Sequence, residues 1–194
     1  MTAIFKYNAG NVQSVLFALE RLGEKAVWTD DPRLLETADR VIFPGVGEAS
    51  SAMAYLRERG LDRLIVSLRQ PVLGICLGLQ LFCRHSEEGD TNCLGIFDTP
   101  VRRFSGRGGL KVPHMGWNTL GDLKGPLFEG ISTGSYAYFV HSFYAENCAS
   151  TSACCDYGET FSAALQRDNF FAVQFHPERS GAVGQRILSN FLLL

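Results

Sequence analysis

The stretch "PVLGICLGLQLF" (residues 71–82) sets Cys76 between Gly74 and Gly78 at the end of an apolar run. Read as strand, turn and helix, it is G-x-C-x-G at a strand-to-helix junction, the thiol counterpart of a nucleophile elbow. Glycines on both sides permit close backbone packing around a strained residue. The turn places the sulfur at a helix N-terminus, where partial positive charge and free N–H groups favour a thiolate. The Leu77 N–H is then placed as one oxyanion donor. The same five residues also fit a buried cysteine beside a glycine-rich turn, so the rest of the chain must discriminate.

From the N-terminus to this stretch, four short apolar strands, "TAIFKY" (2–7), "KAVWT" (25–29), "RVIFPG" (40–45) and "PVLGIC" (71–76), alternate with helices at 11–23 and 48–60. In the first helix Val12, Val15, Leu16, Leu19 and Leu22 share one face, and Gly23 follows as a stop. This alternation predicts a parallel sheet covered on both faces, with functional groups at the carboxyl ends of its strands. The second half reads mostly as strands: "TPVRRF" (99–104), "YAYFVHSFYA" (136–145), "SACCDY" (152–157), "FSAALQR" (161–167) and "FFAVQF" (170–175). Residues 181–194 return to helical spacing through Val183, Ile187, Leu188 and Phe191. The expected fold is one α/β domain over residues 1–194, with a mixed, largely parallel central sheet flanked by helices.

Composition narrows the function classes. The 194 residues suit one domain, and 46% hydrophobic with 20% charged residues argues against disorder. The net charge of −2, with signs interspersed, builds no basic face for nucleic acid. No apolar stretch approaches the ~20 residues that span a bilayer, and the start lacks a secretory pattern. A cytoplasmic protein is expected. Cys83, Cys93, Cys148, Cys154 and Cys155 form no C-x-x-C pair and have no zinc-spaced histidine, so they read as small buried hydrophobes and no metal is expected. Cys154 and Cys155, as neighbours on a strand, point to opposite faces.

A nucleophilic cysteine needs a base, usually histidine held by a third group. His85, in "CRHSEEG", reads as a solvated residue at a polar helix end. His176 stands in "AVQFHPERS", directly after an apolar strand. Pro177 keeps it out of helical geometry, and Glu178 can return to the imidazole to fix its tautomer. A strand-end H-P-E downstream of an elbow cysteine is far more specific than either piece alone.

Together these motifs resemble the class I (triad) glutamine amidotransferases, over essentially the whole chain. That implies a flavodoxin-like α/β fold and no metal or organic cofactor. "FPGVGEAS" (43–50) and "VPHMGWN" (112–118) are similar to the glutaminase subunits of imidazole glycerol phosphate synthases, and "YFVHSFYA" (138–145) and "YNAGNVQSVLFALERLG" (7–23) agree. At the N-terminal motif, where Asp-Tyr-Gly is more usual, this chain has Lys6-Tyr7-Asn8.

The resemblance implies glutamine hydrolysis through a thioester on Cys76, with His176 as base and Glu178 orienting it. The second oxyanion donor is expected in "PGVG", first at Val46 and next at Gly47; glycines flank Val46 and let its peptide rotate. On residue pattern alone that segment also fits a plain βα loop. Substrate holding falls by resemblance to Gly45, Gln80, Glu88 and the backbone of His141, Ser142 and Phe143. Gln80 lies one helical turn after Cys76. By composition alone Glu88 fits a solvated helix end equally well. "VPHMGWN" fits a core-capping loop or, with Asn11, an interface presenting His114, Met115, Trp117 and Asn118. The implied partner is a (β/α)8-barrel cyclase in a heterodimer.

Overall fold

In the computed structural model, residues 1–7, 12–45 and 47–194 are described. β1 (Thr2–Phe5), α1 (Gln13–Arg21), β2 (Ala26–Thr29), α2 (Pro32–Thr37) and β3 (Arg40–Phe43) come first. Then α3 (Ala49–Glu58) and α4 (Leu61–Ser67) precede β4 (Val72–Ile75), and α5 (Leu77–Phe82) follows it. Next are β5 (Cys83–Ser86), β6 (Thr91–Asn92), β7 (Phe97–Arg103), β8 (His114–Thr119) and β9 (Tyr136–His141). The last elements are β10 (Phe143–Ala145), β11 (Thr151–Asp156), β12 (Thr160–Arg167), β13 (Phe170–Val173) and α6 (Gly181–Phe191).

The central sheet has seven strands in the order β11-β12-β13-β4-β3-β1-β2. From β2 to β13 neighbouring strands run parallel, and β12 and β11 add an antiparallel margin. The mixed, largely parallel sheet expected from the alternating pattern is therefore present. Successive residues of these strands point to opposite faces, so each strand supplies two cores. Ala3, Phe5, Val41 and Phe43 pack on the side of α2, α3, α4 and α5; Ile4, Ile42, Leu73 and Ile75 pack on the side of α1 and α6. Cys155 is buried and Cys154 half-buried on β11, as their opposite facing requires.

Three readings need correction. "CRHSEEG" is no helix end: α5 stops at Phe82, and Cys83–Ser86 is a strand paired with β6 and β7. His85 accordingly pairs with Asp90 at 2.9 Å from that strand. "YAYFVHSFYA" is two strands in different sheets, β9 with β8 and β10 with β7, broken at Ser142, whose carbonyl accepts from the Phe104 N–H. "VPHMGWN" is largely strand β8 rather than a loop. Two helices, α2 and α4, lie beyond the sequence reading. The first carries a legible signal, since Asp31 accepts from the Arg33 N–H at 2.9 Å as an N-cap and Pro32 opens the helix.

The bracketing glycines are explained by contact. A Cβ on Gly78 would lie 2.3 Å from the Phe43 carbonyl oxygen, and one on Gly74 would lie 2.8 Å from the Phe82 ring. The elbow can therefore press directly against the end of β3 only without side chains. Gly78→Ala is expected to destabilise the chain by about 1–3 kcal/mol through overpacking. Gly121→Ala, where no atom of the described residues lies nearer than the Cys154 carbonyl oxygen at 3.9 Å, should change little. Thermal unfolding of the two variants checks this: equal melting temperatures would refute the close approach as the reason for glycine.

Candidate active site

Cys76 follows the carboxyl end of β4 with φ 53° and ψ −106°, a left-handed backbone rare for a residue with a side chain. Its N–H donates to the Val173 carbonyl at 2.8 Å, which ties the turn to the neighbouring strand β13. The following helix is only six residues long, so its dipole is short. A side chain supplies a further polar contact: the Gln174 amide Nε2 donates to the Cys76 sulfur at 3.6 Å. Gln174 is fully buried at the end of β13 and escapes a sequence reading, where a lone amide after an apolar strand carries no pattern.

His176 sits two residues beyond Gln174, so both approach the elbow from the same strand end. Its Nδ1 lies 2.8 Å from Glu178 Oε1, with both side chains 6% exposed. The 3-10 turn Pro177–Arg179 makes this possible, bringing the carboxylate back to the ring as the H-P-E spacing suggested. A Cβ on Gly184 of α6 would lie 1.9 Å from the Pro177 carbonyl oxygen, so that helix clamps the turn. Among the described residues, His176 Nε2 has no well-formed hydrogen bond, which leaves it available toward the sulfur.

Burial pulls the His176 pKa down, but Cys76 and the Glu178 carboxylate outweigh it and hold the value up at about 10. A raised folded-state pKa contributes stability that is fully present below the unfolded value near ~6.5 and lost as pH rises through about 10. Glu178→Gln removes one of the two supports, so the imidazole should titrate at lower pH than in the native chain. Proton NMR of the His176 ring in both proteins checks the sign; an unchanged or higher midpoint would contradict it.

The sulfur and imidazole open into a cavity of about 360 Å³. Its wall includes Gly45 and Gly47 from the loop after β3, and Leu77 and Gln80 from α5. Glu88, His141, Ser142 and Phe143 complete the other side. Of the described residues expected around the nucleophile, all but Glu178, which stands behind the His176 ring, border one cavity, and Pro113 and Val140 join them. Val46 and Asn11 lie outside the described residues. The loop after β3 rides directly on the elbow, since a Cβ on Gly45 would lie 2.5 Å from the Gly78 nitrogen. Its start is pinned by Tyr7, a buried residue whose hydroxyl donates to the Pro44 carbonyl at 2.5 Å. Burial, with Cys76 nearby, pushes the Tyr7 pKa well up, so the hydroxyl remains a donor.

Glu88 is half-buried, in a turn rather than on a helix. Its Oε2 accepts from the Ala49 N–H at 2.8 Å, and burial raises its pKa. Gln80 is 4% exposed, and its Nε2 donates to the Phe143 carbonyl at 3.0 Å and to Gln174 Oε1 at 3.2 Å. The expected surface group divides. On β8, Met115 and Trp117 are 63% and 55% exposed, whereas His114 is buried at 3%. Strand alternation turns His114 inward, so it offers no surface contact, and Asn118 uses its amide internally, donating to the Asp156 carbonyl at 2.8 Å.

Chemically this is a thiol beside an imidazole whose other nitrogen is held by a carboxylate, at the wall of one cavity, an arrangement able to supply a nucleophile, a base and its orienter. The family model for glutamine amidotransferase class-I matches residues 7–194. A chain from Bacteroides fragilis (strain YCH46), named imidazole glycerol phosphate synthase subunit HisH, is 59% identical over 193 residues, covering 99% of this chain and 98% of that one. The relative of the same name from Shewanella sediminis is 47% identical, covering 100% and 90%. Among solved structures, one described as a glutamine amidotransferase superposes with a TM-score of 0.75 at 20% identity, covering 98% and 97%. The structure of PurLQS from Thermotoga maritima gives 0.70 at 17%, covering 99% and 97%.

Proposed function

The chain belongs to the class-I glutamine amidotransferases, and from that membership we propose that it is the glutaminase subunit of an imidazole glycerol phosphate synthase in histidine biosynthesis. The near full-length identity to relatives of that name carries the reading. It hydrolyses L-glutamine to glutamate and ammonia. His176 takes the Cys76 thiol proton as the sulfur attacks the side-chain amide carbon, forming the C–S bond while the carbonyl π electrons move to oxygen. Collapse of that intermediate breaks the C–N bond, and ammonia leaves with the proton held on His176. Water then attacks the thioester carbon, His176 takes its proton, and the C–S bond breaks as glutamate forms, the leaving sulfur recovering the proton from His176. Glu178 holds the imidazole in the tautomer with hydrogen on Nδ1.

The oxyanion is met by the Leu77 N–H, the first amide of α5, with a second amide from the loop containing Val46 and Gly47. Glu88 receives the α-ammonium of glutamine, and Gln80 with the backbone at His141, Ser142 and Phe143 closes the pocket.

The partner is a (β/α)8-barrel cyclase, which uses the ammonia to convert N'-(phosphoribulosyl)formimino-AICAR-phosphate to imidazole glycerol phosphate and AICAR. Met115, Trp117 and Tyr136 support a docking face: they are 63%, 55% and 58% exposed and lie on the paired strands β8 and β9. Large apolar and aromatic side chains of this kind anchor interfaces. The assembly works in the cytoplasm, a reading that rests on composition; no helix among the described residues is long and apolar enough to cross a membrane.

Uncoupled hydrolysis wastes glutamine, because ammonia released into neutral water is mostly protonated and no longer nucleophilic. The chain alone is therefore expected to be a poor glutaminase. Steady-state hydrolysis is measured for the chain, then with cyclase, then with cyclase and its ligand. Rising rates across the three support the reading, and equal rates would favour a stand-alone hydrolase.

A further inference from the structure

We propose that Asn118, His114 and His141 form an oriented hydrogen-bond relay that positions the glutamine pocket from the strand carrying Met115 and Trp117; naming the pocket's ligand rests on the glutaminase reading above. The relay has one permitted direction. At its inner end His141 Nδ1 lies 2.7 Å from the Phe143 carbonyl, which can only accept, so Nδ1 carries hydrogen. Burial holds the His141 pKa down at about 3 and that of His114 at about 4, so both rings are neutral near pH 7. A neutral His141 with hydrogen on Nδ1 has only a lone pair at Nε2. His114 Nδ1, 3.0 Å away, must therefore donate to it. That leaves the His114 Nε2 lone pair facing the Asn118 Nδ2 at 3.3 Å.

The amide at the outer end is oriented independently. Asn118 Oδ1 accepts from the Thr119 N–H at 2.8 Å, so the nitrogen faces His114 and the Asp156 carbonyl. His114 is also held in place by stacking, 3.9 Å from the Tyr157 ring and 4.9 Å from that of Phe139.

The relay ends where the pocket begins. The Phe143 carbonyl that receives His141 also receives Gln80 Nε2. The second hydrogen of that Gln80 amide goes to Gln174 Oε1, and Gln174 Nε2 reaches the Cys76 sulfur. A continuous donor–acceptor path thus joins β8 to the nucleophile. Asn118 and His114 touch neither substrate nor sulfur; they are positioning residues, and their loss should weaken glutamine binding more than turnover.

The closing experiment has two readouts. In the full chain, histidine side-chain ¹⁵N spectra at pH 7 should show His114 and His141 both as Nδ1–H tautomers. In the enzyme assembled with saturating cyclase, Asn118→Ala and His114→Phe should each raise the KM for glutamine about ten-fold, with kcat within about two-fold. His114→Phe keeps the stacked ring and removes both nitrogens. Asn118→Ala truncates a half-buried residue and keeps the test open should the first variant fold poorly. An Nε2–H tautomer at either histidine, or an unchanged KM in Asn118→Ala, would overturn the relay. The spectra need no turnover, so they test it even if the native enzyme hydrolysed no glutamine, a result that would overturn the glutaminase reading alone.

Discussion

Cys76→Ala is expected to abolish glutamine-dependent synthesis while the assembled enzyme continues to make imidazole glycerol phosphate from added ammonium salts. The thioester cannot form without the sulfur, and loss of such a nucleophile lowers kcat by several orders of magnitude, on the order of 10⁴–10⁶. Ammonia use should survive because the proposed assembly places the cyclase chemistry on the other subunit. Chemical labelling gives the same answer from another direction. A glutamine-like electrophile should mark Cys76, whose sulfur borders the cavity. Burial pushes the Cys83 thiol well up and those of Cys93 and Cys155 up to about 12, so they remain protonated and inert. Retained glutaminase activity in Cys76→Ala, or labelling spread over all six cysteines, would remove Cys76 from the mechanism.

His176→Asn should be nearly as damaging, because both the proton taken from the thiol and the proton given to ammonia pass through this ring. Asparagine keeps a hydrogen-bonding amide but has no basic nitrogen, so the fall in kcat should reach about 10³-fold or more. Glu178→Gln should be milder, since the carboxylate orients and charges the imidazole without moving the proton itself. Rates for the two variants, measured in the same assembled enzyme, order the roles. A greater loss in Glu178→Gln than in His176→Asn would reverse the assignment.

The parts of the site that sequence made legible are those written in short local patterns. G-x-C-x-G announces a turn because no side chain fits at Gly74 or Gly78 against Phe82 and Phe43. H-P-E announces a base and its orienter because a proline turn brings residues 176 and 178 together at 2.8 Å. The parallel strands were legible for a similar reason, as buried apolar runs separated by amphipathic helices.

What stayed hidden depends on pairing between distant residues. Gln174 reads as an ordinary strand-end amide until the fold sets it beside Cys76, which is 98 positions earlier in the chain. His114 fits either a core-capping loop or an interface until β8 pairs with β9 and turns it onto His141. Strand β5 escapes a sequence reading because its four residues, with only Cys83 and Ser86 buried, are too few to establish an alternation. Its place is fixed by β6 and β7 instead.

The proposed coupling of the two subunits requires that ammonia made at Cys76 pass to the cyclase without entering bulk solvent. The decisive experiment supplies the assembled enzyme with glutamine labelled with ¹⁵N in the side-chain amide, together with excess unlabelled ammonium. Mass spectrometry of the imidazole glycerol phosphate then reports the source of the nitrogen. Nearly every product molecule is expected to carry the label from glutamine, despite the competing pool. Product carrying the unlabelled isotope in proportion to that pool would contradict direct transfer.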